Sequence, residues 1–169
     1  MTGDQRRNRR AVLASLGTGA VASVAGCLGD DDGVSSGNPT YERGEVGNVT
    51  NGSRNASETS AAGQLAQSEP NTNVTPLDSL SIASHEFVIE DGFRGATVQG
   101  TVENDREERV EIAEVRARFY TDGGEQLGLY TDTVGDLDAG ESWQFMVVVL
   151  LSPSDIAEYD VAALGTPAS

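Results

Sequence analysis

Residues 113–124 have the sequence AEVRARFYTDGG, which alternates apolar and polar side chains and then ends in a turn. One side of the extended chain carries Ala113, Val115, Ala117 and Phe119, and the other carries Glu114, Arg116, Arg118 and Tyr120. The Asp-Gly-Gly ending is typical of a tight hairpin turn. The stretch therefore predicts a strand with one buried and one solvent-exposed face, followed by a second strand.

The alternation changes phase just before this stretch. Val110 and Ile112 are apolar, but they lie out of step with Ala113 and the apolar residues after it. An extra residue in one strand shifts the two faces in this way. We therefore predict a β-bulge or a strand boundary near Ala113.

Similar alternation surrounds this strand on both sides. The predicted inward-facing residues are His85, Phe87 and Ile89, then Ala96, Val98, Gly100 and Val102, then Trp143, Phe145, Val147 and Val149, and last Tyr159, Val161 and Ala163. A strand is predicted at about 126–134, and a turn at 138–140. Six or seven strands in about 85 residues predict an all-β fold, a small antiparallel β-sandwich at residues 79–165 with a tail at 166–169.

Three segments together resemble the FxLYD domain family: Val98 to Asn104, Val115 to Tyr120 with the following Asp-Gly-Gly, and Asp136 to Phe145. The likeness covers about residues 79–164. It implies an immunoglobulin-like sandwich of the kind found in haloarchaeal surface lipoproteins. The family offers no catalytic residue that could be transferred to this chain.

The N-terminus has the layout of an export signal at residues 1–26. Arginines at positions 6, 7, 9 and 10 precede the uncharged run 11–25, and Gly26 and Cys27 follow. As a helix this run would cover about 22 Å of a hydrocarbon layer about 30 Å thick, which favours a cleaved signal over a membrane span. Arg9 and Arg10 resemble the twin-arginine export signal.

Residues 24–27 resemble a lipobox, after which lipoprotein signals are cut. Cys27 is the only cysteine, so it cannot form a disulfide within the chain. We expect Cys27 to carry a lipid that anchors the chain to the extracellular face of the cell membrane.

Residues 27–78 are rich in Gly, Ser, Thr and Asn and show no apolar period of 3.6 or 2. The sequence therefore predicts a disordered tether. Sequons for N-glycosylation occur at Asn48, Asn51, Asn55 and Asn73. Such sites suit exposed backbone, although an Asn/Ser/Thr-rich segment also produces them by chance.

The charge is strongly negative, at a formal −16 from 27 acidic residues and 11 basic ones, and every basic residue is arginine. Such a surface repels nucleic acid, so we expect no nucleic-acid partner. Lysine depletion with excess acid is typical of halophilic proteins, whose charges are screened within about 3 Å at molar salt.

Few residues could support catalysis or metal binding. His85 is the only histidine and Cys27 is assigned to lipidation, so a triad or a multi-ligand metal site lacks partners. We therefore expect no catalytic residue, cofactor or metal, and the chain is not predicted to be an enzyme. A weak calcium site at Asp132, Asp136, Asp138 and Glu141 is the alternative for the acidic segment 132–141.

An apolar set lies opposite the face of Trp143, at Met146, Val148 and Leu150. Either a neighbouring segment covers these residues or they form a patch that contacts a partner. We predict a non-catalytic interaction module with an envelope or transporter protein as its partner. The alternative is an accessory solute- or cation-binding lipoprotein associated with a transporter.

Overall fold

The computed structural model describes residues 37–47, 49 and 53–169. This part of the chain forms β1 (Glu42–Glu45), α1 (Ala56–Leu65), β2 (Leu80–Ile89), β3 (Ala96–Asn104), β4 (Val110–Tyr120), β5 (Gln126–Leu137), β6 (Ser142–Val148), a 3-10 turn (Pro153–Asp155) and β7 (Glu158–Pro167). The strands form two antiparallel sheets in the orders β1-β7-β4-β5 and β2-β3-β6. The predicted all-β sandwich is confirmed.

The core lies between the sheets, where the alternating patterns predicted it. The four inward residues of β4, including Val115 and Phe119, are each at most 1% exposed. Val98 and Phe145 of the other sheet belong to the same buried cluster. Phe119 stacks on Tyr159 with ring centroids 6.2 Å apart. Burial of this apolar surface is the main stabilising contribution to the two-layer packing.

The predicted irregularity in β4 is confirmed. The register of β4 against β7 shifts between Val110 and Ile112. Val110 is buried in the main core together with Ala113, whereas Ile112 packs on the opposite face of the sheet. The extra residue, Glu111, is exposed and allows both apolar neighbours to be buried on different faces.

Both predicted turns are present, and each uses a glycine with a positive φ. Gly124 has φ 79° in the β4–β5 turn and Gly140 has φ 71° before β6, a backbone region that side chains disfavour. β5 runs beyond the predicted end at about 134, because its last residue Leu137 pairs with Val110 and is buried.

The prediction of a tail at residues 166–169 is wrong for its first two residues. β7 continues to Pro167, and Thr166 pairs with Ile112 of β4. Ala168 donates a backbone hydrogen bond to Arg109. The bulge in β4 keeps the two strands in register to this point.

The prediction of a disordered tether at residues 27–78 is wrong for the part that the structure describes, which belongs to the same compact unit as the sandwich. β1 pairs with the edge of β7, and Gln67 bridges to Thr131 on the edge of β5. Thr75 exchanges two backbone hydrogen bonds with Gly165, at 2.9 and 2.8 Å. These contacts use backbone groups, so they require no apolar period in the sequence.

The same segment covers the outer face of the four-stranded sheet, which the alternation predicts to be solvent-exposed. Glu114 is 1% exposed there. Its carboxylate accepts hydrogen bonds from Arg116 Nε at 2.7 Å and from the backbone N–H of Asn71 at 2.9 Å. Arg116 in turn donates to the carbonyl of Asn71 at 2.8 Å. Pairing satisfies groups that burial would otherwise leave without partners.

A second polar cluster covers the neighbouring part of this face. Arg118 donates to both carboxylate oxygens of Asp160, at 2.8 and 2.6 Å. The Tyr41 ring lies over the guanidinium, 3.4 Å from its carbon to the ring centroid, and Tyr120 adds a hydroxyl hydrogen bond at 3.3 Å. Tyr41 thus holds the start of the described chain on the sheet through cation–π stacking.

Helix α1 begins with a capping box. The Asn55 side chain accepts from the backbone N–H of Glu58, and the Glu58 side chain accepts from that of Asn55. The N-x-x-E sequence of this motif signals a helix start, and the tether prediction overlooked it. Among the described residues, no helix has the length and apolar content needed to cross a bilayer.

Arg54, immediately before this cap, joins the N-terminal segment to the ends of β3 and β6. Its guanidinium donates to the carbonyls of Phe93 and Val149 at 2.8 Å each, of Ala96 at 3.3 Å, and of Arg94. Burial lowers the pKa of Arg54. A planar group with five donors suits a convergence of several carbonyls.

Candidate functional site

The outer face of the three-stranded sheet is partly open among the described residues, because Glu86 and Gln144 are exposed on it while Thr97 and Val148 are buried. A concavity of about 620 Å³ lies over the centres of β2, β3 and β6. The side chains that alternate outward into it are Ser84, Glu86, Gln99, Thr101, Gln144 and Met146. The lining of the concavity therefore presents hydroxyl, amide and thioether groups around one carboxylate, that of Glu86.

One side chain on this face is held in a defined position. Gln99 Nε2 donates to Glu90 at 2.8 Å and to the Thr97 hydroxyl at 3.0 Å. Glu90 also pairs with Arg94 at 3.2 Å, and these hydrogen bonds lower its pKa. Glu86 and Gln144 are exposed, so they are the accessible polar side chains on either side of Gln99.

β2 forms an edge of this sheet, and its register shows which backbone groups face outward. Glu90 donates its N–H to the Gly95 carbonyl, and hydrogen-bonded pairs alternate with non-bonded pairs in an antiparallel ladder. Continuous register from there to Ser84 makes His85, Phe87 and Ile89 the residues whose N–H and C=O point away from β3. Within residues 37–47, 49 and 53–169, β2 has β3 as its only strand partner, so no strand pairs with these outward groups.

The predicted apolar set at positions 146, 148 and 150 is divided among three environments. Met146 is half-buried and lines the concavity. Val148 is 5% exposed, so it is covered, whereas Leu150 is 39% exposed beyond the end of β6. These three side chains do not form one continuous patch. Phe93, which was not predicted to be part of an exposed apolar patch, is 41% exposed in the β2–β3 turn.

Asp132 and Asp136, two acidic residues of segment 132–141, bond to different partners. Asp132 accepts from the backbone N–H of Met146 at 2.7 Å and from that of Thr133 at 2.9 Å, and burial raises its pKa. Asp136 pairs with Arg109. In the part of the chain that the structure describes, no group of three or more His, Cys, Asp or Glu residues could hold a metal ion.

His85 is half-buried, and its side chain contacts the other sheet. Its Nδ1 lies 2.9 Å from the hydroxyl of Tyr159, and the two rings meet edge to face at 5.6 Å. Burial, with the added charge of Glu86, raises the pKa of Tyr159 to about 12. The pair links the two sheets, so His85 contributes to the packing of one sheet on the other.

The residues predicted for glycosylation, lipidation and the export signal lie in three settings. Asn55 is exposed but serves as the cap of α1. Asn73 is exposed, and its backbone N–H donates to the Asn71 side chain at 2.9 Å. The remaining predicted positions, Cys27, Arg9, Arg10, Asn48 and Asn51, lie outside the described residues.

Comparisons with known proteins provide one sequence relative. An uncharacterised protein of Methanocaldococcus jannaschii is 27% identical over 85 residues, which is 49% of this chain and 62% of that protein. The chain therefore spans less than two thirds of this relative's length. No protein-family model matches the chain, and no solved structure matches it.

Proposed function

We propose that this chain is an extracellular lipoprotein, anchored to the membrane through Cys27, whose β-sandwich is a non-catalytic interaction module. The observation that carries the proposal is the asymmetry of the two sheets. The chain's own N-terminal segment covers the outer face of one sheet, while the other retains an open concavity of about 620 Å³. An uncovered, shallow polar surface suits partner binding better than catalysis, because it lacks convergent titratable groups.

The described fold begins only a short distance along the sequence from the proposed anchor. Fourteen residues separate Cys27 from Glu42, where β1 begins. A fully extended chain of that length spans about 50 Å at most. The partner of a module held on so short a connection would itself lie at or near the membrane surface.

Substitution of the anchor residue tests the first half of the proposal. Cys27→Ser removes the thiol that would carry the lipid, so we expect the protein to move from washed membranes to the medium. Fractionation in native salt with an antibody to the folded domain measures the distribution. A Cys27→Ser protein that stays in the washed membranes would contradict the anchor.

A matched pair of variants tests the open face. Gln144 is exposed on the concave face and Thr133 is exposed on β5 of the other sheet, and arginine at either position adds one positive charge. We expect Gln144→Arg to abolish the stoichiometric recovery of a partner from detergent extracts, and Thr133→Arg to retain it. Loss with both variants, or with neither, would contradict a binding role for this face.

Solute binding is the second candidate, because the concavity offers amide and hydroxyl groups for a small polar ligand. A solute receptor should show a raised melting temperature with one compound class, which Gln144→Arg should eliminate. An interaction module should show no such shift with small molecules.

A further inference from the structure

We propose that the outer edge of β2 accepts an extended, basic segment of a partner protein as an additional strand. This proposal rests on the interaction module proposed above and names where and how that module binds. The bound segment would extend the three-stranded sheet beyond β2, with its alternate side chains beside Glu86 on the open face. Strand addition of this kind combines backbone hydrogen bonds with selection of alternate side chains.

The first argument is that, among the described residues, β2 pairs with β3 alone and has no pairing along its outer side, whereas other long strands at or near a sheet edge receive further contacts. β1 and Thr75 pair with β7, Gln67 pairs with β5, and the Asp132 carboxylate accepts from Met146 on the edge of β6. Unpaired edges promote aggregation, and proteins generally block them.

The second argument is the number of backbone groups available. His85, Phe87 and Ile89 each direct one N–H and one C=O away from β3, as their alternation with the bonded pairs requires. Within the described ranges no strand pairs with β2 on this side. An antiparallel partner strand could therefore form up to about six backbone hydrogen bonds here.

The third argument, charge complementarity, identifies the occupant. Glu86 is exposed and points to the outer face next to the edge. β1, the edge strand of the facing sheet that contacts β2 without pairing with it, adds the exposed residues Glu42 and Glu45. The chain as a whole carries a formal charge of −16. A segment with arginine or lysine at alternate positions would place positive charge beside Glu86 while its backbone pairs with β2.

A second copy of this chain fits the edge less well. Antiparallel pairing of two β2 strands about Phe87 would place both Glu86 side chains on one face, about 7–8 Å apart as diagonal neighbours. Two bodies that each carry −16 would also repel one another during association. The charge therefore favours a basic partner over self-association.

Peptide binding to the purified full chain tests the proposal. The probe is a twelve-residue synthetic peptide that alternates threonine and arginine, and its control carries glutamate in place of arginine. Binding is measured by titration calorimetry at the lowest salt that keeps the chain folded. We expect the arginine peptide to bind and to slow amide exchange at His85, Phe87 and Ile89, which in the free chain exchange faster than their bonded neighbours.

Two variants of equal charge change locate the site. Glu86→Lys should weaken the arginine peptide roughly tenfold or more, whereas Glu103→Lys, an exposed position of β3 on the same sheet, should have little effect. Circular dichroism and melting temperature confirm that each variant folds. Glu86→Gln provides a milder second variant if the lysine prevents folding.

Four results would overturn the proposal. The first two are the absence of peptide binding and equal binding of the glutamate peptide. The third is protection of the three edge amides from exchange in the free monomer. The fourth is protection of these amides without peptide in a sample whose molecular mass shows a dimer. The third would show that the chain itself covers the edge, and the fourth that a second copy does. If Gln144→Arg abolishes partner recovery but Glu86→Lys does not, the interaction module stands and the strand-addition site fails.

Discussion

Arg118 holds Asp160 with two parallel hydrogen bonds, from Nε to Oδ1 at 2.8 Å and from Nη2 to Oδ2 at 2.6 Å. The two residues lie on adjacent strands, β4 and β7, and Asp160 is only 8% exposed. Bidentate geometry is the strong form of this pair. The ring of Tyr41 covers the guanidinium, so a residue from the N-terminal segment completes the cluster.

Removal of the cation from this pair should cost much of the stability. Arg118→Leu leaves a mostly buried carboxylate without its partner, and we expect a loss of about 3 kcal/mol in the free energy of unfolding. The double variant Arg118→Leu/Asp160→Leu should recover most of that loss. Urea unfolding in native salt measures both, and a single variant as stable as the wild type would contradict a structural role for the pair.

The Arg54 side chain should resist even conservative replacement. Its guanidinium reaches four backbone carbonyls around the ends of β3 and β6, and one ammonium group cannot reproduce that geometry. We expect Arg54→Lys to cost roughly 2 kcal/mol, since several hydrogen bonds of about 1 kcal/mol each are lost.

Arg43 provides the matched control for this substitution. Its side chain is 84% exposed and pairs loosely with Glu158 at 3.6 Å, so Arg43→Lys should change stability by less than about 0.5 kcal/mol. Thermal unfolding of the two variants in parallel measures the difference. Equal effects of both substitutions would contradict the proposal that the four carbonyl contacts of Arg54 stabilise the fold.

Gly44 allows β1 to pair closely with β7, where its partner in the register is Tyr159. A Cβ at position 44 would lie 2.1 Å from the Tyr159 ring, whereas one at Gly47 would meet nothing within 4 Å. We therefore expect Gly44→Ala to displace β1 and to cost about 1 to 3 kcal/mol, with Gly47→Ala close to neutral. Hydrogen exchange across residues 42–45 should rise only in the first variant, and unchanged exchange would show that β1 tolerates the displacement.

Alkaline stability should depend on Tyr159. Its pKa is raised from 10.0 to about 12 by burial and by the nearby charge of Glu86, so the unfolded chain loses this proton first. The stabilising contribution is complete below pH 10 and is lost as the pH rises toward 12, by an amount on the order of 2 kcal/mol.

Tyr159→Phe removes this titration and should reduce the slope of unfolding free energy against pH above 10. Urea midpoints between pH 9 and 11.5, with phenolate absorbance as a second readout, measure it. The variant also loses the hydrogen bond to His85, which lowers stability at every pH and leaves the slope as the discriminating quantity. An unchanged slope would contradict the conclusion that Tyr159 titrates at a higher pH in the folded chain than in the unfolded chain.

The sheet faces were predictable because local alternation determines them. Phe119, Phe145 and Val98 are buried as the period of two requires, and the phase change near Ala113 predicted the bulge. The candidate site was predictable in part. Met146 was predicted to be an exposed apolar residue, and it lines the concavity. The position of β2 at the edge of its sheet follows from the order of the strands, which no local sequence pattern encodes.

What the sequence by itself determined is the sandwich of alternating strands, with its turns at Gly124 and Gly140. Only the tertiary structure decided the arrangement of the described residues between 37 and 78, which pack on the sheet instead of forming a tether. Their contacts are backbone pairing at strand edges and polar clusters such as Tyr41 on Arg118. Every residue except proline carries the same backbone donor and acceptor, so a segment can complete a sheet without any apolar period that would reveal it.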